Sequence, residues 1–136
     1  MVSSRFNEPV TSKLVEAAES CLARHGCESH MVYSVPGAWE IPPVVRRLAG
    51  SDQIDGVVAL GALIRGETPH FDVLAAAVSH ALAQIALDSP VPIIFGVLTT
   101  DTVAQALERA GDDEGNKGWE AARCVVEMIN LYRRMA

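Results

Sequence analysis

The strongest constraint on this fold is the run at residues 56–63, GVVALGAL, which carries no polar or charged side chain. A strand that is apolar on both faces belongs inside a parallel sheet covered by helices above and below. The polar segment Arg65, Gly66, Glu67, Thr68, Pro69 and His70 follows, and a small-residue helix is predicted over residues 73–87 with residues 68–72 as its approach. In α/β proteins ligand sites form at the carboxyl ends of strands, where loop amides meet the next helix N-terminus. This segment is therefore the leading candidate site. His70 can exchange protons near neutral pH, and Thr68 with the neighbouring amides can hold an anion. The same residues also read as a capped helix start carrying a surface histidine.

A chain of 136 residues fits one domain, and its 49% hydrophobic content against 21% charged argues against disorder. Aromatic residues make up only 5%, so Ala, Val, Ile and Leu must fill the interior, which suits helices layered on a sheet. A formal charge of −6 argues against broad adhesion to nucleic acid or to anionic membranes. Cys21, Cys27 and Cys124 form no close metal-ligand set and cannot all pair, so reduced thiols in a cytoplasmic protein are expected. No targeting segment is evident, and no stretch approaches the uninterrupted apolar length of a membrane span.

Four further segments carry chemistry. Met1 and Val2 read as the end of a short strand, followed by Phe6 and Asn7, a stacking surface and a directional hydrogen-bonding group, or an aromatic plug and a turn residue. A helix is predicted over residues 11–25 and a strand over 31–35, preceded by a turn around Glu28 and Ser29. The loop Pro36, Gly37, Ala38, Trp39, Glu40 then offers close backbone approach, a flat apolar surface and a carboxylate that accepts from hydroxyls, or a core Trp39 and a solvent-facing Glu40 at a helix start. A helix over 41–48 tolerates Pro42 and Pro43 in its first turn.

A second apolar strand is predicted over residues 91–98, where Phe95 either packs in the core or stacks on a ligand. Thr99, Thr100 and Asp101 are expected to close this strand and cap a short helix ending near Arg109. Arg109 can clamp a phosphate or serve the helix terminus. Asp112, Asp113 and Glu114 form an acidic turn with which Lys117 can pair, and the last helix carries Trp119, Ala122, Val126 and Ile129 at helical spacing. His80, inside the helix after the leading loop, reads as structural or exposed.

Taken jointly, SRFN at 4–7, VPGAWEIP at 35–42, GALIRGETPHFD at 61–72, PIIFGVLTTDT at 92–102 and ALERAGDDEGNKGWEAA at 106–122 resemble the lumazine synthase family, in its order and over nearly the whole chain. The resemblance implies a flavodoxin-like three-layer α/β sandwich with a central parallel sheet. It also implies homopentamers, which in some members build an icosahedral shell. The implied activity is that of a transferase of riboflavin biosynthesis: 5-amino-6-(D-ribitylamino)uracil condenses with 3,4-dihydroxy-2-butanone 4-phosphate to give 6,7-dimethyl-8-ribityllumazine, phosphate and water. No metal, nucleotide or redox cofactor is expected for it.

On this resemblance Phe6 and Trp39 wall the pyrimidine, Asn7 and Glu40 recognise the ribityl chain, and Ala38 and Ile64 line the pocket. Gly66, Glu67 and Thr68 receive the phosphate, and His70 assists proton transfer. Phe95 and Arg109 match residues donated by an adjacent subunit, and Lys117 matches a position near the site. Two departures stand out: only Met1–Ser3 precede the first motif, so either the chain is truncated or the fold tolerates a reduced first strand, and Asp113 is acidic where many relatives carry lysine. The alternatives are another flavodoxin-like enzyme of phosphorylated small molecules, a noncatalytic flavin or lumazine carrier, or a shell-forming protein.

Overall fold

The structure is a computed structural model and describes residues 1–27, 29–112 and 114–136. The turn residue Glu28 and the acidic departure Asp113 lie outside the described residues. Strands β1 (Val2–Ser4), β2 (Tyr33–Val35), β3 (Val57–Ile64) and β4 (Ile93–Thr100) alternate with helices α1 (Glu8–Arg24), α2 (Ile41–Ala49), α3 (His70–Asp88), α4 (Val103–Arg109) and α5 (Lys117–Met135). A 3₁₀ turn, Ala38–Glu40, leads into α2.

The strands form one parallel sheet in the order β2-β1-β3-β4. Short as it is, β1 is an interior strand: Val2 pairs with Tyr33 on one side and Ala59 on the other. The chain steps from β1 outward to β2 and then returns past β1 to β3. The order therefore reverses between β1 and β3, and a crevice outside their carboxyl ends is where such sheets bind ligands. The SRFN loop and the loop after β3 flank that reversal.

Alternation along β3 explains its unbroken apolar run. Val58, Leu60 and Ala62 join a core with Val10, Leu14, Ala18 and Leu22 of α1 and Ala121, Ala122 and Val125 of α5. Val57, Ala59 and Leu63 point to the other face, against Ile41 and Val45 of α2 and Val78, Leu82 and Ile85 of α3. Helices thus cover both faces, which makes the fold a flavodoxin-like sandwich. The contact between α1 and α5 is close at Gly118, where an added Cβ would overlap the Leu14 backbone.

Several boundaries differ from the sequence expectations. Helix α1 begins at Glu8, since Pro9 is tolerated in a first turn whose amides have no helical partner. Strand β2 is confined to Tyr33–Val35. Helix α3 starts at His70 itself, so this histidine is the first helical residue and not part of the approach. Thr99 and Thr100 still belong to β4, and the cap of α4 is Thr102, whose hydroxyl accepts from the Gln105 amide at 3.1 Å. Finally, α3 is long and apolar enough, by length and composition, to cross a membrane, although Ser79, His80 and Gln84 interrupt its apolar run. In this fold it packs on α2 and β4, with Val73 and Leu87 exposed.

Candidate active site

The loop after β1 is fixed by backbone and side chain together. Asn7 adopts a left-handed conformation (φ 64°), which Asn tolerates better than most residues, and its carbonyl accepts from the Val10 and Thr11 amides to start α1. Its side-chain Nδ2 donates to the Ala62 carbonyl of β3 at 2.7 Å. That amide is engaged with the sheet, and the side-chain oxygen is the end left to face a ligand.

Phe6 lies beside the loop after β2, because its amide donates to the Pro36 carbonyl at 3.1 Å and that of Arg5 to Val35 at 2.8 Å. Both aromatic candidates stand out from the surface: Phe6 is 70% exposed and Trp39 62%. Neither is a core plug. Ala38 is buried beneath them, and Glu40 Oε2 accepts from the Gly37 amide at 2.9 Å, a bond that closes the turn carrying Trp39.

Beyond β3, Ile64 is half-buried while Gly66, Glu67, Thr68 and His70 are exposed. The Thr68 hydroxyl accepts from the His70 amide at 3.4 Å, so the turn bends toward the free amides of the first turn of α3. Arg65, which the sequence placed in the leading segment without a role, is the most connected side chain here. Its Nε donates to Asp101 Oδ1 at 2.8 Å and its Nη1 to both Asp72 oxygens at 3.0 Å, while the guanidinium lies 4.5 Å from the centre of the Phe71 ring. The two carboxylates hold the guanidinium's pKa above its ordinary value. Nothing in the local sequence announces this cluster, because Asp101 arrives from a different strand.

Phe95, Arg109 and Lys117 gather elsewhere. Phe95 and Arg109 line a cavity of about 560 Å³ with Arg65, Phe71, Thr99 and Gln105, and a second of about 370 Å³ with Lys117 and Cys124. Arg109 Nη1 donates to the neutral Gln105 carbonyl at 3.1 Å. Lys117 pairs with Glu120 at 2.7 Å within its own helix. None of Phe6, Trp39 and His70 lines either cavity. A further cavity of about 510 Å³, between Pro42, Pro43, Arg46, His80 and Gln84, includes none of the sequence candidates. Among the described residues, no group of three His, Cys, Asp or Glu is placed to share a metal ion.

The sheet order, the exposed aromatic pair beside the strand reversal and the turn before α3 define a flavodoxin-like α/β protein whose candidate groups do not all share one cavity. Comparison with known proteins makes the class specific. The family model described as 6,7-dimethyl-8-ribityllumazine synthase matches residues 1–133. The chain is 54% identical to the 6,7-dimethyl-8-ribityllumazine synthase of Chlorobium phaeobacteroides over 136 residues, covering 98% of this chain and 88% of the relative. It is 52% identical to that of Chloroherpeton thalassium (99% and 88%) and 50% identical to that of Aquifex aeolicus (99% and 89%). The chain belongs to the 6,7-dimethyl-8-ribityllumazine synthase family.

Proposed function

We propose that this protein condenses 5-amino-6-(D-ribitylamino)uracil with 3,4-dihydroxy-2-butanone 4-phosphate, and that it does so in sites completed by an adjacent copy of the chain. The observation that carries the reading is the division of the candidate groups. Phe6 and Trp39 stand exposed at the strand reversal, while Phe95 and Arg109 line separate cavities on the β4 side. Large exposed aromatics in a chain with so few of them call for a partner or ligand. A second copy presenting its β4 side to the first copy's strand ends supplies both. The apolar, partly uncovered α3 gives the same assembly further surface to bury.

In this reading the pyrimidine stacks between Phe6 and Trp39, and the ribityl hydroxyls meet the Asn7 side-chain oxygen and Glu40. Ala38 and Ile64 line the pocket. The phosphate rests at Gly66, Glu67 and Thr68, opposite the neighbour's Arg109, with the neighbour's Phe95 against the ring and Lys117 nearby. The pyrimidine amine attacks the butanone carbonyl, and loss of water gives an imine. Phosphate leaves, the resulting enol becomes a ketone, and the ribityl-bearing nitrogen closes the second ring with loss of water.

Every step moves protons without net oxidation or reduction. An imidazole at position 70 suits such transfers near neutral pH, and an arginine offsets charge on the leaving phosphate. Most of the acceleration comes from holding two reactants together, which removes the entropic cost of a bimolecular encounter. The deciding experiment supplies both substrates to the assembled protein and follows lumazine absorbance together with phosphate release. Matched appearance of the two supports the condensation. Binding of lumazine or flavin without turnover would instead make the protein a carrier, and assembly with neither would make it a shell component.

A further inference from the structure

We propose that Arg65 is a positioning residue that ties the proton-transfer half-site of one chain to the phosphate-clamping half-site that the same chain presents to its neighbour. The proposal rests on the condensation reading for its kinetic consequences, though not for its geometry. Arg65 follows β3 directly, and its own amide donates to the Thr100 carbonyl at the end of β4 at 2.8 Å. From that anchored backbone the guanidinium reaches two ways.

One arm holds the start of α3: Nη1 bonds both oxygens of Asp72, and the cation lies over the Phe71 ring, the residue next to His70. The other arm holds the start of α4. Nε bonds Asp101 Oδ1, the Asp101 amide donates to Gln105 Oε1 at 2.8 Å, and the Gln105 carbonyl in turn accepts from Arg109 at 3.1 Å. A continuous path of hydrogen bonds therefore runs from Asp72 through Arg65, Asp101 and Gln105 to Arg109. Arg65 is itself a poor phosphate ligand, because two carboxylates already oppose its single charge. Only a planar fork with spaced donors can serve both arms at once, so lysine is not an equivalent.

Exposed ion pairs contribute little to stability. Arg65 and its partners are 43%, 60% and 66% exposed, so the contribution expected of this cluster is orientation. Because misplacement by about an ångström can cost up to roughly 100-fold in rate, that orientation has a kinetic signature.

The test uses assembled protein carrying Arg65→Met, Arg65→Lys, Asp72→Asn or Asp101→Asn. Steady-state kinetics are read beside hydrogen exchange of the amides at 66–73 and 101–106. Arg65→Met is expected to lower kcat by roughly 10- to 100-fold and to raise KM for the butanone phosphate by about 10-fold, with melting temperature little changed. Asp72→Asn should act mainly on kcat through the His70 turn, and Asp101→Asn mainly on KM through Arg109. Arg65→Lys should fail to restore both. Exchange should quicken in both segments for Arg65→Met and in one segment for each asparagine variant.

Wild-type kinetics and exchange in Arg65→Met would overturn the proposal. So would a slow Arg65→Met beside two asparagine variants of wild-type behaviour, which would mean that Arg65 touches substrate directly. If Arg65→Met does not fold, the asparagine variants decide. If the wild-type protein forms no product, the condensation reading falls, and the exchange pattern alone decides the tie.

Discussion

The Asn7 side chain donates to the Ala62 carbonyl at 2.7 Å, spanning the point where the strand order reverses between β1 and β3. One residue therefore holds the aromatic loop to the strand that leads into the histidine turn, while its left-handed backbone turns the chain into α1.

That double role separates two substitutions. Asn7→Gly keeps the left-handed turn and loses the side-chain bond, and should lower unfolding free energy by about 1 kcal/mol. Asn7→Ala loses the bond and also puts in the left-handed conformation a residue that tolerates it less well than Asn, for a total of about 2 kcal/mol. Chemical denaturation of both variants checks the order. Equal stability of the two would show that the backbone conformation carries no cost.

At Gly118 the limiting factor is space and not backbone conformation. Asn116 caps α5 by accepting from the Gly118 amide at 2.7 Å and donating to the Gly111 carbonyl at 2.9 Å, which brings the helix start onto Leu14 of α1. Gly118→Ala must separate the two helices and should cost at least about 1–3 kcal/mol. A melting temperature equal to wild type would contradict this close approach.

The three thiols should differ in reactivity. Cys21 is fully buried, and burial pushes its thiol pKa up, so the reactive thiolate is scarcer at neutral pH than for an ordinary cysteine. Cys124 is exposed. In mass-spectrometric alkylation at neutral pH of folded, unassembled chains, Cys124 should be modified readily and Cys21 only after unfolding. Early modification of Cys21 would mean that the α1 core opens readily.

The sandwich was legible because its signals are local. The apolar run of β3 shows both-face burial directly, and the spacing of Leu14, Ala18 and Cys21 marks the inner face of α1. The helix starts were less legible, since Pro9 and the Thr102–Gln105 pair act through terminal amides that periodicity does not report. Within the candidate site, the motifs picked out residues by chemistry but not by grouping. Arg65 shows why: Asp72 is near it in sequence, whereas Asp101 reaches it only through the pairing of β3 with β4. Likewise, the pairing of Lys117 with Glu120 is a short-range helical contact that no motif singled out.

His70→Ala should slow single turnover by roughly 10- to 100-fold without abolishing it, because bringing the reactants together survives the loss of the imidazole. Rapid-mixing measurements at several pH values around neutrality test this. A full wild-type rate throughout would remove His70 from proton transfer.

Arg109→Ala should raise KM for the butanone phosphate by roughly 10- to 100-fold, the cost of losing one charge-assisted phosphate contact. The two variants together also test where the site is built. If His70 of one copy works with Arg109 of the next, chains carrying only His70→Ala and chains carrying only Arg109→Ala can form intact sites when unfolded and reassembled together. In a closed ring assembled at random from equal amounts, about one site in four draws both functional residues, so activity at low butanone phosphate should rise to about a quarter of wild type. Sites contained within a single chain would gain nothing from mixing, and activity would stay at the average of the two parents. His70 lines neither of the cavities that Arg109 lines, which favours recovery.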